Sequence, residues 1–447
     1  MPLADTRRCL LLAGLLVVIA VAAGACAPNT AQPSLTAVPT ASQPLSSPSA
    51  PVASPQPTSP TQADIERLQA AIAADPDDAE AQRDLGFALL QRVRETADPS
   101  LYEPAAEAFD AARRLAPDDA LVLVGIGGLQ LGKHEFADAL ETGRAAAEQS
   151  PGLASARAVI VDALVELGRY DEADEAAAEM FALSDDLSTL ARVSYLAELR
   201  GNLDVALSAM RMAADSPGLA PENTAFVQAL LGNLLVYSGD PEGAAEAYGI
   251  ALDLVPAHAP SLAGQARLAI GAGDLDEAIE LLERASQIVP LPEYVIALGD
   301  TRAAAGQTDA AAEAFALARA EIQLFEASGV VVDLDFALFE ADHGDPSRAL
   351  VLAQAAYETA PTIRAADAVA WALHRLGRDD EARPYVDEAL RLGSRDPLLR
   401  YHAGAVAAAL GDNEAARREL ELALATDPGF SATGAAEARR ILATVGG

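Results

Sequence analysis

The hydrophobic and polar positions from Ala63 onward predict a chain built from pairs of α-helices. Between Ala225 and Pro256, small residues stand at fixed places in two apolar segments, with larger apolar residues among them. Small residues let two antiparallel helices approach closely, and the larger side chains fill the seam between them. Gly239 suits the left-handed cap that ends the first helix, and Pro256 cannot continue the second. The residues that carry this pattern are Leu231, Gly232, Leu235, Ala244, Tyr248 and Ala251.

The same pattern returns along the chain with a period of about 34 residues. Because a single helix pair cannot bury its apolar face alone, we expect the pairs to stack into one solenoid domain over residues 63–447. Single helices over residues 63–74 and 431–445 are expected to cap its two ends. The predicted repeats start near Ala79, Ala120, Ala154, Leu187, Ala225, Ala259, Pro292, Val330, Ile363 and Pro397.

This order of residues resembles the tetratricopeptide repeat, which has Leu-Gly in its first helix and Ala, an aromatic residue, Ala and Pro in its second. The resemblance implies an all-α fold, an α-solenoid of about ten helix-turn-helix repeats that form a right-handed superhelix. It also implies that the first helices line a concave groove in which peptide partners lie.

Several repeats depart from the common pattern. Repeat one carries extra residues at 93–99, which predict a longer turn between its helices. Repeats three, four, seven and nine lack the closing proline, so their second helices are expected to run on, with residues 318–327 as such an extension. In repeat eight, Gly344 is expected to be the turn glycine.

Residues 1–26 have the parts of a secretory signal peptide. Arg7 and Arg8 supply the positive charge, residues 10–23 form an apolar run, and small residues precede Cys26. The segment resembles a bacterial lipoprotein signal, although Ala23 stands where that signal usually has a branched residue. The resemblance implies that Cys26 is lipidated and anchors the exported chain on the extracytoplasmic face of the cell membrane or outer membrane. A single N-terminal transmembrane anchor is the alternative.

Residues 27–62 contain no charged side chain and are rich in Pro, Ser, Thr and Ala. A segment of this composition cannot bury a core, and its prolines break helices. We therefore expect a disordered tether between the signal and the solenoid.

The charge of the chain narrows the range of partners. Acidic side chains outnumber basic ones by 66 to 31, and the formal net charge is −35. A nucleic-acid partner is excluded, because neutralising phosphates requires Lys and Arg. An acidic surface steers basic or neutral partners towards it; alternatively, it only keeps an alanine-rich array in solution.

The residues that could carry chemistry form no catalytic or metal-binding motif. His134 and Glu135 are not followed by a second histidine at the spacing of a zinc protease. The acidic residues on either side of His343 stand at helix ends, where carboxylates cap helices. The sequence therefore predicts no catalytic residue, metal, cofactor or small-molecule substrate, and the protein is not expected to be an enzyme.

The resemblance places candidate binding residues on the concave face. Trp371 is the only tryptophan, and Trp, Tyr and Arg are enriched in binding hot spots; alternatively, Trp371 packs between neighbouring helices. Only Asn233 and Arg267 are similar to the carboxylate clamp of chaperone-binding members, which disfavours that class of partner. The residues expected in the groove are Tyr195, Asn233, Arg267, Arg364, Trp371, His374 and Tyr401.

Taken together, these features predict a non-catalytic protein–protein interaction scaffold of the bacterial cell envelope. It would hold a protein or peptide segment in the groove and would serve assembly, secretion or pilus machinery. One alternative is a protein that binds envelope polysaccharide by stacking sugars on Tyr195, Trp371 and Tyr401. A third is an enzyme with a site between repeats, which would need His374 or His343.

Overall fold

The computed structural model describes residues 59–216, 220–327 and 333–446. The predicted signal peptide, the lipidation residue Cys26 and the tether up to residue 58 lie outside the described residues. Within the described ranges, the chain forms 22 α-helices, a short 3₁₀ helix at Pro99–Leu101 and no β-strand. The all-α solenoid is therefore confirmed. None of the described helices is long and apolar enough to cross a membrane.

The helices are arranged as ten consecutive pairs between two single helices. Helix α1 (Pro60–Ala74) precedes the pairs, and α22 (Ala432–Val445) follows them. The pairs are α2 (Ala79–Thr96) and α3 (Tyr102–Leu115), α4 (Ala120–Gly132) and α5 (Phe136–Gln149), α6 (Ala154–Glu166) and α7 (Tyr170–Leu183), α8 (Leu187–Leu199) and α9 (Leu203–Asp215), α10 (Pro221–Tyr237) and α11 (Pro241–Leu254), α12 (Ala259–Ala272) and α13 (Leu275–Ile288), α14 (Pro292–Ala304) and α15 (Thr308–Ala327), α16 (Asp333–His343) and α17 (Pro346–Thr359), α18 (Ile363–Arg375) and α19 (Asp379–Ala389), and α20 (Pro397–Ala409) and α21 (Asn413–Thr426).

The glycines of the first helices receive aromatic rings from the second helices. Tyr248 of α11 is completely buried, and a Cβ atom added at Gly232 or Gly264 would overlap its ring. Phe109 of α3 lies in the same way against Gly86 and Gly125. One aromatic side chain thus packs against the first helices of two successive repeats, which explains why glycine and an aromatic residue recur at fixed spacing.

Three boundary predictions differ from the structure. Helix α1 begins at Pro60, inside the predicted tether, because Ser59 caps it by accepting a hydrogen bond from Gln62 and proline suits the first helical turn. The extra residues of repeat one do not form a longer turn over their whole length, since α2 continues to Thr96. Repeat five begins earlier than predicted, at Pro221.

The missing prolines lengthen only one second helix. In repeat seven, α15 runs for 20 residues and ends at Ala327, as the sequence predicts. In repeats three, four and nine, the second helices have 14, 13 and 11 residues, so the prediction that they run on is wrong. In repeats three and four, the helices end where the next residues, Ser184 and Ser216, have an extended backbone.

The turns between paired helices use a left-handed residue. Gly239, for example, has φ of +81°, which suits glycine because it has no Cβ. In repeat two this place is taken by His134, with φ of +62°. In repeat eight, Gly344 lies in the turn between α16 and α17, as predicted, but it is not left-handed; an added Cβ there would overlap the Glu340 carboxylate.

Repeats that are distant in sequence also touch each other. The amide of Ile363 donates a 3.1 Å hydrogen bond to the Tyr170 hydroxyl, 193 residues earlier in the chain. Gln91 donates a 2.7 Å hydrogen bond to Glu222, 131 residues later. The solenoid therefore curves until one turn of the array meets the next, and this curvature decides how much of the inner face is open.

Candidate functional site

The predicted groove residues do not form one continuous surface. The structure brings Trp371, His374 and Tyr401 together and joins Asn233 to Arg267, while Tyr195 and Arg364 line a separate pocket. Of all of them, only Arg364 is exposed.

Trp371 lies in the core between repeats eight, nine and ten. It is 2% exposed, its Nε1 donates a 2.9 Å hydrogen bond to Asp342, and its ring stacks on His402 with 3.9 Å between the centroids. Tyr401 is 4% exposed and packs beside it. The structure therefore favours the packing interpretation of Trp371, and the prediction that Tyr401 lines an open groove needs correction, because neighbouring helices cover both rings.

His374 belongs to the same aromatic group. Its ring stacks on Trp371 at 5.0 Å, and its Nδ1 lies 2.6 Å from the Asp379 carboxylate. Asp379 is the first residue of α19, so this contact joins the end of one helix to the start of the next. His374 thus stabilises the turn of repeat nine and presents little surface to a partner.

Asn233 and Arg267 meet each other rather than a free groove. Arg267 donates a 2.7 Å hydrogen bond to the Asn233 side-chain oxygen, which also accepts one from Tyr248. The guanidinium of Arg267 then forms a 3.3 Å ion pair with Asp427, which precedes α22. Burial raises the pKa of Asp427, and the charge of Arg267 opposes that rise. Asn233 and Arg267 therefore take part in a contact between repeats five and six and the segment that precedes the C-terminal helix.

Tyr195 and Arg364 remain at a partly open pocket. The pocket is small, with a volume of about 30 Å³, and is partly open to solvent; its walls come from repeats that are far apart in sequence. One wall belongs to repeats two to four and the other to repeats eight and nine. The lining residues are Phe136, Val165, Glu166, Tyr170, Tyr195, Leu199, Leu334, Ala360, Thr362, Ile363 and Arg364.

Two carboxylates on the inner face are residues that the sequence analysis missed. Burial raises the pKa of Glu166 to about 7, against the opposing charge of Arg364. Burial also raises the pKa of Glu198 to about 7, and the neighbouring Asp396 adds to that rise. Glu166 is the last residue of α6, and in a chain this acidic no local pattern distinguishes it from the exposed carboxylates.

The structure bears on two alternatives, the polysaccharide-binding protein and the enzyme with a site between repeats. Stacking of sugars on Trp371 and Tyr401 is not possible in this structure, because both rings are buried. His343, which an enzyme would need, lies between Phe315 and Phe339 and 3.2 Å from Asp300. Among the described residues, no group of three or more His, Cys, Asp or Glu side chains could hold a metal ion.

Residues 100–154 and 230–291 match the model of the tetratricopeptide repeat family. The chain contains tetratricopeptide repeats in these segments. These two segments include the second helix of repeat one with repeat two, and much of repeats five and six. Tetratricopeptide repeats imply a scaffold for protein–protein interaction, and proteins built from them are generally non-catalytic.

Other proteins share parts of this tetratricopeptide array. The CTR9 homolog of Arabidopsis thaliana is 37% identical over 86 residues, which are 19% of this chain and only 8% of that relative. The human IFIT1 dimer with m7Gppp-AAAA is 15% identical, with a TM-score of 0.47 over 74% of this chain and 76% of that chain. YrrB, a TPR protein with an unusual peptide-binding site, is 20% identical, with a TM-score of 0.30 over 41% of this chain and 94% of that chain. At these identities, the likeness to the solved structures concerns the fold alone.

Proposed function

We propose that this protein is a non-catalytic scaffold of the bacterial cell envelope that holds a protein or peptide segment at its inner face. The observation that carries this proposal is the pocket between repeats two to four and repeats eight and nine, where Tyr195 and Arg364 border apolar side chains. A pocket of this kind takes an apolar side chain, and nearby polar groups orient the segment that carries it.

The partner is a basic or neutral segment. Glu166 lines the pocket, Glu198 lies on the next first helix, and the charge of Arg364 acts on both carboxylates. With a net charge of −35, the rest of the chain repels acidic partners at long range. We place this scaffold in the assembly, secretion or pilus machinery of the envelope.

Photo-crosslinking in intact envelopes tests the binding site. A photoreactive phenylalanine replaces Tyr195 in one variant and Ala178 in the control, since Ala178 is exposed on the second helix of the same region. We expect the variant at Tyr195 to form one dominant adduct with an envelope protein, and the variant at Ala178 to lack that adduct. Identical adducts at both places, or none at Tyr195, would show that the pocket is not the binding site.

The membrane anchor is a separate part of the proposal. We propose that Cys26 is lipidated and holds the protein on the extracytoplasmic face of the cell membrane or outer membrane, as the small residues before it indicate. In cell fractionation, Cys26→Ser should release the protein from the membrane fraction. The same substitution should abolish incorporation of a labelled fatty acid. A variant that stays in the membrane without fatty acid would favour the transmembrane anchor.

A further inference from the structure

Repeats three and four are joined to repeats nine and ten by hydrogen bonds and close backbone contacts. Arg391 donates a 3.3 Å hydrogen bond to the Gly168 carbonyl, and its guanidinium lies 4.9 Å from the centre of the Tyr170 ring. The Tyr170 hydroxyl in turn accepts the hydrogen bond from the Ile363 amide at the start of α18. Ile363 and Leu399 add apolar contacts, since both belong to the buried cluster of the early repeats.

The turn glycines of repeats three and four lie directly against the later repeats. A Cβ atom added at Gly168 would stand 2.7 Å from the Pro361 carbonyl oxygen, and one at Gly201 would overlap the Gly393 carbonyl. Gly239 and Gly306 have the same left-handed conformation, yet an added Cβ would meet nothing within 4 Å. Two turn glycines therefore serve both the turn and the contact between distant repeats.

The same kind of junction occurs at two other places. Arg94 and Glu222 form a 2.8 Å ion pair between repeats one and five, with side chains that are 17% and 15% exposed. Gly429, before α22, lies so close to the Arg267 carbonyl that no larger residue fits there. Contacts between distant repeats are thus distributed along the array and include three glycine positions where backbone meets backbone.

We propose that these contacts form a latch between superhelical turns, which closes the inner face until repeats three and four separate from repeats nine and ten. This inference rests on the proposed function, because the inner face that the latch covers is the face proposed to hold a partner. Separation at the latch leaves each helix pair intact, since a solenoid can open between repeats without unfolding them. A partner segment binds the open form and shifts the population towards it.

The test compares two matched pairs of substitutions in the full chain. The double variant Gly168→Ala and Gly201→Ala adds a Cβ at the latch, and Gly239→Ala with Gly306→Ala adds the same left-handed strain without a contact. Circular dichroism is used first to check that both double variants remain helical. Hydrogen exchange then measures protection of the Ile363 amide.

We expect exchange at Ile363 to be about tenfold faster in the latch variant, because weakening a hydrogen bond and its neighbouring contacts shifts local opening by that order. The matched variant should exchange like the parent protein. Equal acceleration in both variants would assign the effect to backbone strain and overturn the latch.

Alkylation measures access to the inner face without any partner. Cys9 and Cys26 are the only cysteines, so a chain with both changed to serine and with Tyr195→Cys carries one thiol at the pocket. The latch substitutions should increase its rate of alkylation by a maleimide about tenfold, by the same shift in opening, and should leave the rate at an Ala178→Cys control unchanged. If Ile363 exchanges faster while the thiol at position 195 reacts as before, the latch does not control access, and the inference fails.

These results separate the latch from the proposed function. Faster exchange and alkylation together with no adduct in the photo-crosslinking experiment would leave the latch standing and reject the binding site. An adduct at Tyr195 whose yield does not change in the latch variant would support the binding site and reject control by the latch.

Discussion

Asp162→Ala should destabilise the stack of repeats three and four by about 3–5 kcal/mol. Arg192 binds the Asp162 carboxylate through two hydrogen bonds, with Nε 2.8 Å from Oδ1 and Nη2 2.6 Å from Oδ2. Their side chains are only 6% and 10% exposed. Removal of the carboxylate leaves a buried guanidinium without its opposite charge, although Arg192 still donates a hydrogen bond to the Ser188 carbonyl one turn earlier in α8.

A surface pair provides the matched control. Asp64 and Arg67 form a 3.1 Å ion pair with side chains that are 59% and 65% exposed. Asp64→Ala should therefore cost at most about 1 kcal/mol. Urea denaturation followed by circular dichroism measures both changes, and hydrogen exchange in α6 and α8 shows whether the loss of stability is local, since solenoids need not unfold in one step.

A double substitution separates the cost of an unpaired charge from the value of the pair. Asp162→Leu combined with Arg192→Met replaces both charged groups with apolar side chains, and it should recover most of the stability that Asp162→Ala loses. The reasoning is wrong if Asp162→Ala costs no more than the surface control, or if the double variant is as unstable as the single one.

Three further predictions concern carboxylates and glycines. Burial raises the pKa of Glu166 and Glu198 from 4.5 to about 7, so their contribution to stability is present below pH 4.5 and is lost as the pH rises through about 7. Changing both to Gln should reduce the fall in Tm between pH 5 and pH 8, and an unchanged fall would refute this assignment. His134→Gly should increase the free energy of unfolding by about 0.5–1 kcal/mol, because it relieves a left-handed histidine, and the urea midpoint would show it. Gly232→Ala should lower the free energy of unfolding by about 1–3 kcal/mol, because its Cβ overlaps a buried ring. Gly249→Ala has open space around it and should stabilise α11 by up to about 1 kcal/mol. Similar urea midpoints for the two variants would contradict the packing argument.

The predicted groove shows where sequence reasoning failed. Trp371 and Tyr401 occupy places that face inward in the repeat pattern, yet each is almost completely buried. Their burial depends on how adjacent repeats and the C-terminal helix pack around them, because Trp371 contacts Asp342 and Tyr401 contacts Glu437. The position of a residue within one repeat predicts the direction in which its side chain points. The exposure of that side chain depends on which residues the neighbouring repeats place around it.

The sequence by itself determined the helix pairs and their order. The first helix begins at the predicted residue in repeats such as those at Ala79, Ala120 and Pro397, because glycine, proline and capping residues act within a few residues of their own position. The match of small residues to aromatic rings is likewise local to successive repeats, as Gly232, Gly264 and Tyr248 show.

Only the tertiary structure decided how far the inner face is open. The contact between Tyr170 and Ile363 joins residues 193 positions apart, and no pattern with the period of one repeat carries information over that distance. Small rotations between successive repeats add up along the array, and their sum brings Gly201 against Gly393. The pocket at Tyr195 and the latch that encloses it both result from that accumulated curvature.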